Sequence, residues 1–84
     1  MILVHAFGAV GMACLLIAYY LVSTGRLSPQ TVLYQGLNLV AGIILAVYAA
    51  ILGAWVSMAL NIFWAAIALR ALITILQGTG RPAA

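Results

Sequence analysis

Three long apolar runs, separated by short stretches of turn-forming residues, dominate the sequence. They extend over residues 2–22, 30–52 and 55–76. An α-helix needs about 20 apolar residues to cross a hydrocarbon core about 30 Å thick, and each run is that long. Apolar and polar positions do not alternate with a period of two, so the pattern favours helices over the strands of a barrel. The sequence therefore predicts an all-α integral membrane protein with three transmembrane helices.

The residues between the runs predict where the helices end. Gly25 suits the left-handed conformation that often follows a helix, and Ser28-Pro29 is typical of an N-cap followed by a first helical residue. Gly53 separates the second and third runs, and so short a connection predicts two antiparallel neighbours. Residues 77–84 are rich in helix breakers and are expected to form a short polar tail.

The composition supports a membrane location. The chain contains no Asp or Glu, and 69% of its residues are hydrophobic. Soluble domains carry charge on about a quarter of their residues, whereas 4% are charged here. We therefore expect residues 1–84 to form a single three-helix domain surrounded by lipid. The few basic residues are too scattered for a nucleic-acid-binding surface.

The three arginines predict the orientation. With three spans, the first loop and the C-terminus lie on one side; Arg26 and Arg81 are there, and Arg70 is in the nearer half of the third helix. Cytoplasmic flanks are enriched in Lys and Arg, so we expect the N-terminus outside and the C-terminus inside. Arg26 and Arg70 are expected to contact lipid headgroups. Arg70 would reach them by snorkelling, with an oligomer contact or a site for an anionic lipid or substrate as the alternative.

Small and polar residues form one stripe on each of the last two helices, because spacings of three and four place them on one face. The stripes comprise Gln35, Asn38, Gly42, Ala46 and Ala49 on the second helix, and Ser57, Asn61, Trp64, Ala65 and Ala68 on the third. One interpretation is close packing of the helices with interhelical hydrogen bonds. The other is a polar lining for a small neutral solute, on which the indole of Trp64 could stack. Helix 1 offers a further small-residue face with Gly8 and Gly11.

Catalytic and metal-binding groups are scarce. The chain has one His, one Cys and no carboxylate side chain, so no cluster of metal ligands can be assembled from it. No serine has a neighbouring base and orienting partner of the kind that an activated nucleophile needs. The sequence therefore predicts neither an enzyme nor a metal or cofactor site.

Three segments carry a resemblance to known proteins: Gly-Arg-Leu-Ser-Pro at 25–29, Tyr-Gln-Gly-Leu-Asn at 34–38, and Gly-Ala-Trp-Val-Ser at 53–57. With them, nearly the whole chain resembles a group of uncharacterised small bacterial membrane proteins with three spans. The resemblance implies a protein of the bacterial inner membrane and brings no known activity.

The topology is also similar to that of the SemiSWEET half-transporters, which have three spans and move sugars as parallel dimers. Their third helix carries an Asn, as Asn61 does here. Their first helix carries a Pro-Gln pair, whereas Pro29-Gln30 stands at the start of the second helix in this chain. The resemblance would imply a path for a small neutral solute.

Two functions therefore remain. The first is a homo-oligomeric structural or regulatory membrane component, for which a parallel dimer is the simplest assembly. The second is a half-transporter that moves a small neutral solute by facilitated diffusion, since no carboxylate is present for proton coupling.

Overall fold

A computed structural model describes residues 1–78, and these residues form three α-helices: α1 (Ile2–Ser23), α2 (Val32–Ile51) and α3 (Trp55–Gly78). Each helix is long and apolar enough to cross a membrane. The predicted all-α architecture with three membrane-compatible helices is confirmed. The first two residues of the predicted polar tail belong to α3, and the rest of the tail, with Arg81, lies outside the described residues.

A glycine ends α1 as predicted. Gly25 has φ +75°, a conformation that side chains with a Cβ rarely adopt. Its N–H donates to the carbonyl of Val22 at 3.1 Å, and the N–H of Arg26 donates to the carbonyl of Leu21 at 2.9 Å. This pair of bonds is the Schellman motif, which satisfies carbonyls that the helix end would otherwise leave unpaired.

The predicted start of α2 at Ser28 and Pro29 is wrong, because the helix begins at Val32 with Thr31 as its N-cap. The hydroxyl of Thr31 accepts a hydrogen bond from the N–H of Tyr34 at 3.2 Å, as a capping side chain should. Ser28 instead closes a turn before the helix: its hydroxyl accepts from the N–H of Gln30 at 3.0 Å. Two capping residues compete here, and the one nearer the apolar run caps the helix.

The connection between α2 and α3 repeats the Schellman motif around Gly53, whose φ is also +75°. The N–H of Gly53 donates to the carbonyl of Ala50 at 3.1 Å, and that of Ala54 donates to the carbonyl of Ala49 at 2.8 Å. Helix α3 starts at the next residue, Trp55. The short connection packs α2 against α3 as antiparallel neighbours, as the sequence predicts.

Helix α2 lies in the middle of the arrangement. It packs against α1 and against α3, whereas the backbones of α1 and α3 do not approach each other within residues 1–78. The buried positions are nearly all small: Gly8, Gly11 and Ala18 on α1, Ala41, Gly42, Ala46 and Ala49 on α2, and Ala68 on α3. Large apolar side chains point outwards instead, which suits a lipid solvent.

Candidate functional site

A hydrogen bond between two side chains links the middle of α2 to α3. Asn38 is buried, and its Oδ1 accepts a hydrogen bond from Nε1 of Trp64 at 3.0 Å. Its Nδ2 donates to the carbonyl of Tyr34, one turn earlier in α2, at 2.9 Å. The amide is thus held at both ends, and we call this arrangement the Asn38–Trp64 lock. It satisfies two polar groups that would be costly to leave unpaired in hydrocarbon.

Asn61, the corresponding residue of α3, is used differently. Its Nδ2 donates to the carbonyl of Ser57 at 2.9 Å, so this bond stays within α3. Among residues 1–78, no donor reaches its Oδ1, and the residue is half-buried rather than buried. Asn61 therefore keeps a hydrogen-bond acceptor that the described part of the chain does not satisfy.

The lock borders an open groove in the half of the molecule that contains the start of α2. On one side, Tyr34, Asn38 and Trp64 meet Leu15 and Tyr19 of α1 around a space of about 290 Å³. On the other side, the same three residues meet Gln35 and Ile67. The groove is open rather than enclosed, because α1 and α3 flank α2 and their backbones stay apart.

The structure brings only part of the predicted polar stripes together. Gln35 joins Asn38 and Trp64 at the groove, and its Nε2 donates to the carbonyl of Pro29 at 2.9 Å. Ser57 is exposed, and neither it nor Asn61 lines this groove. Gln35, Asn38 and Trp64 therefore form one group at the groove, whereas Ser57 and Asn61 lie outside it, towards the start of α3.

The two arginines of the described chain lie in different surroundings. Arg26 follows α1, and its guanidinium carbon lies 5.9 Å from the centre of the Tyr20 ring, within the range of a cation–π contact. Arg70 is exposed on α3 and borders a second groove, which it shares with Pro29 and Gln30 of the first loop.

One polar contact was not predicted from the sequence. Nδ1 of His5 lies 2.7 Å from the hydroxyl of Tyr48, and the two rings meet edge to face with centroids 5.8 Å apart. The partners are 43 residues apart, so no local spacing indicates the bond. The sequence offers one indirect signal. Gly8 lies on the same face of α1 as His5, and a glycine there leaves room for the ring of Tyr48 on α2.

These side chains can recognise neutral hydrogen-bonding groups, apolar groups and, at the arginines, anions. Within residues 1–78, no group of three or more His, Cys, Asp or Glu could hold a metal ion. The polar atoms of the lock are amide and indole groups, which do not exchange protons near neutral pH. The amide and indole groups of the lock suit packing or the binding of a neutral group.

No curated protein and no solved structure is similar enough to the chain to count as a match, so the resemblance to SemiSWEET transporters gains no support. The model of one protein family, an uncharacterised one, does match, over residues 4–79. Because that range covers nearly all of the three helices, the chain belongs to this uncharacterised family.

Proposed function

We propose that the chain is a non-catalytic component of the bacterial inner membrane that assembles with further copies of itself. The unpaired Oδ1 of Asn61 carries the self-assembly part of this proposal, and the Asn38–Trp64 lock supports the structural part. Polar side chains at membrane depth serve either to hold helices together or to line a path. Here the buried amide already has a donor and an acceptor within the chain, which supports the first use.

Asn61 supports self-assembly. An amide oxygen without a donor is costly in hydrocarbon, so a neighbouring chain that supplies one gains free energy. A second copy in the same orientation carries suitable donors: the second N–H of its own Asn61 at the same depth, and the hydroxyl of Ser57 one turn away. The basic residues cluster towards one side in the predicted topology, which favours parallel copies with their N-termini outside.

Energy transfer between labelled copies tests this proposal. Donor and acceptor fluorescent proteins are fused to the carboxy end, and energy transfer is measured in liposomes as the lipid-to-protein ratio increases. We expect transfer in the wild type to persist on dilution and in Asn61→Leu to fall several-fold. Asn38→Leu is the matched control, because it removes the same chemical group from a site that is satisfied within one chain.

The two variants should separate folding from assembly. Asn38→Leu should unfold more easily yet remain associated, whereas Asn61→Leu should keep its helix content and dissociate. A wild type that is monomeric at every dilution would overturn the proposal, as would an Asn61→Leu variant that associates as strongly as the wild type.

A half-transporter for a small neutral solute is the second candidate. The groove beside Tyr34, Asn38 and Trp64 favours it, because aromatic and amide groups there border a space large enough for a small solute. A parallel dimer would enclose two such grooves. Without carboxylate side chains, movement by facilitated diffusion is the natural mechanism.

Uptake into proteoliposomes distinguishes the two candidates. A panel of neutral solutes is tested with the wild type, with Asn61→Leu and with Trp64→Phe, which keeps an aromatic ring but removes the indole N–H. Saturable uptake that Trp64→Phe abolishes would establish a transport path through the groove, and uptake that Asn61→Leu abolishes would show that transport needs the assembly. If no solute of the panel is taken up, the result favours the structural component over the half-transporter.

The orientation has its own test. Single cysteines at Ile2 or Leu27, each in a Cys14→Ala background, are labelled with a membrane-impermeant maleimide in whole cells. We expect labelling at position 2 and protection at position 27 until the cells are lysed. The reverse pattern would place the N-terminus inside.

A further inference from the structure

The second groove lies between the start of α2, with the loop before it, and the second half of α3. It is lined by Pro29, Gln30, Gln35, Ile67, Arg70 and Thr74, with a volume of about 320 Å³. Its lining combines apolar side chains with a guanidinium, a hydroxyl group and two amides. We propose that this groove binds the phosphate of an anionic phospholipid headgroup.

The charge of Arg70 has no counterpart in the chain. None of the 84 residues is Asp or Glu, so neither this chain nor a second copy of it supplies a carboxylate side chain. An exposed guanidinium in a membrane-spanning helix gains free energy when an anion from the surroundings neutralises it. The anionic headgroups of the bilayer are the anions present at high local concentration.

The depth of Arg70 also fits a headgroup. Ile75 shares the groove with Pro29, a residue of the loop before α2. Arg70 is five positions earlier in α3, which at 1.5 Å per residue is about 7 Å deeper. An extended arginine side chain covers that distance, so its guanidinium can reach the level of the loop.

The shape of the groove adds selectivity. Arginine binds phosphate through two parallel N–H donors, while the amide of Gln30 and the hydroxyl of Thr74 can donate further hydrogen bonds. The Nε2 of Gln35 already donates to Pro29, which holds the loop against α2 and fixes the groove wall. Ile67 and Ile75 provide an apolar surface for the adjoining acyl chain.

Native mass spectrometry of the full chain in neutral detergent tests this site. The protein is mixed with equal amounts of phosphatidylglycerol and phosphatidylcholine, and the bound fraction of each is compared. A single arginine near an anionic lipid contributes about 1 kcal/mol, so we expect about fivefold preference for phosphatidylglycerol. Arg70→Gln should lose that preference.

Arg26→Gln is the matched control, because Arg26 is at the same end of the bundle but stacks on Tyr20 outside the groove. It should keep the preference. Thr74→Leu fills the groove without changing the charge and should lower phosphatidylglycerol binding at least twofold, so the proposal stays testable if Arg70→Gln does not fold.

Three results would overturn the proposal. One is an Arg70→Gln variant that folds and binds phosphatidylglycerol as the wild type does. Another is an equal loss in Arg26→Gln, which would indicate general attraction to charge. The third is displacement of phosphatidylglycerol by inorganic phosphate at the same concentration, which would assign the groove to a free anion. None of these results depends on self-assembly.

Discussion

The α1–α2 and α2–α3 contacts begin from the same sequence pattern of small residues but reach different packing. At α1–α2, the glycines of α1 receive large side chains: Gly8 lies under the ring of Tyr48, and Gly11 lies against Ile44 and Leu45. At α2–α3, small meets small, because the space beside Gly42 is occupied by the backbone and Cβ of Ala65.

The difference teaches what a small residue does in each contact. In the first contact a glycine makes a notch for a side chain, which can move if the notch is filled. In the second it lets two backbones approach, and a backbone cannot move aside without separating the helices. The close approach also brings α2 and α3 together where the Asn38–Trp64 lock forms. The second contact should therefore be the less tolerant of substitution.

Filling the backbone contact should have the largest effect. Gly42→Leu places its Cβ 2.9 Å from the Cβ of Ala65 and 3.1 Å from its backbone, so we expect a loss of about 3 kcal/mol in the free energy of unfolding. The measurement is an SDS titration in mixed micelles, followed by helix content. Gly36→Leu is the control, since a Cβ at Gly36 meets nothing within 4 Å. Equal losses in the two variants would contradict the comparison.

Removing the lock should have the next largest effect. Asn38→Leu leaves Nε1 of Trp64 without its acceptor in an apolar environment, so we expect a loss of about 1–2 kcal/mol in the same titration. Asn61→Leu should lose less in the monomer, because its amide bonds only within α3. If Asn61→Leu proves the more destabilising, Asn38 is not the residue that holds α2 and α3 together.

Filling the notch on α1 should cost less. In Gly11→Ala the new Cβ lies 2.6 Å from Cγ2 of Ile44, which can rotate away, and 3.0 Å from its Cβ, which must shift by a few tenths of an ångström. We expect a loss of about 1 kcal/mol, and a smaller loss in an Ile44→Ala background, because that substitution removes Cγ2. A loss larger than that of Gly42→Leu would reverse the order of the two contacts.

The smallest effect should come from the polar link between α1 and α2. Tyr48→Phe removes the hydroxyl that contacts His5 but keeps the ring over Gly8. We expect a loss of about 0.6 kcal/mol, the typical value of a hydrogen bond between membrane helices. A double-mutant cycle with His5→Ala measures the coupling energy of the two side chains. A coupling energy of zero would show that this bond does not stabilise the contact between α1 and α2.

The helices were predictable because their signals are local. The length of the apolar runs predicts three spans. The sequence also indicates a left-handed residue after each of the first two helices, and Gly25 and Gly53 both adopt that conformation. The start of α2 was placed too early, because Ser28 and Thr31 both have capping side chains and local sequence does not rank them.

The site was only partly predictable because it depends on how the helices are rotated against each other. The stripes put Asn38 and Trp64 on packing faces, but they do not specify that the indole N–H of one reaches the amide oxygen of the other across 26 residues. Proximity in sequence suggested Asn61 as the neighbour of Trp64, one turn away. The hydrogen-bond partner of Trp64 is instead Asn38 on α2. The bond between His5 and Tyr48 also joins two helices, so local sequence does not predict it either.

The tight connection at Gly53 has a consequence for biogenesis. Only Leu52, Gly53 and Ala54 separate α2 from α3, and three residues span at most about 10 Å even when fully extended. Because the hydrocarbon core is about 30 Å thick, α3 cannot remain on the side of the bilayer where α2 begins once α2 spans it. We therefore expect α2 and α3 to enter the bilayer together as a hairpin.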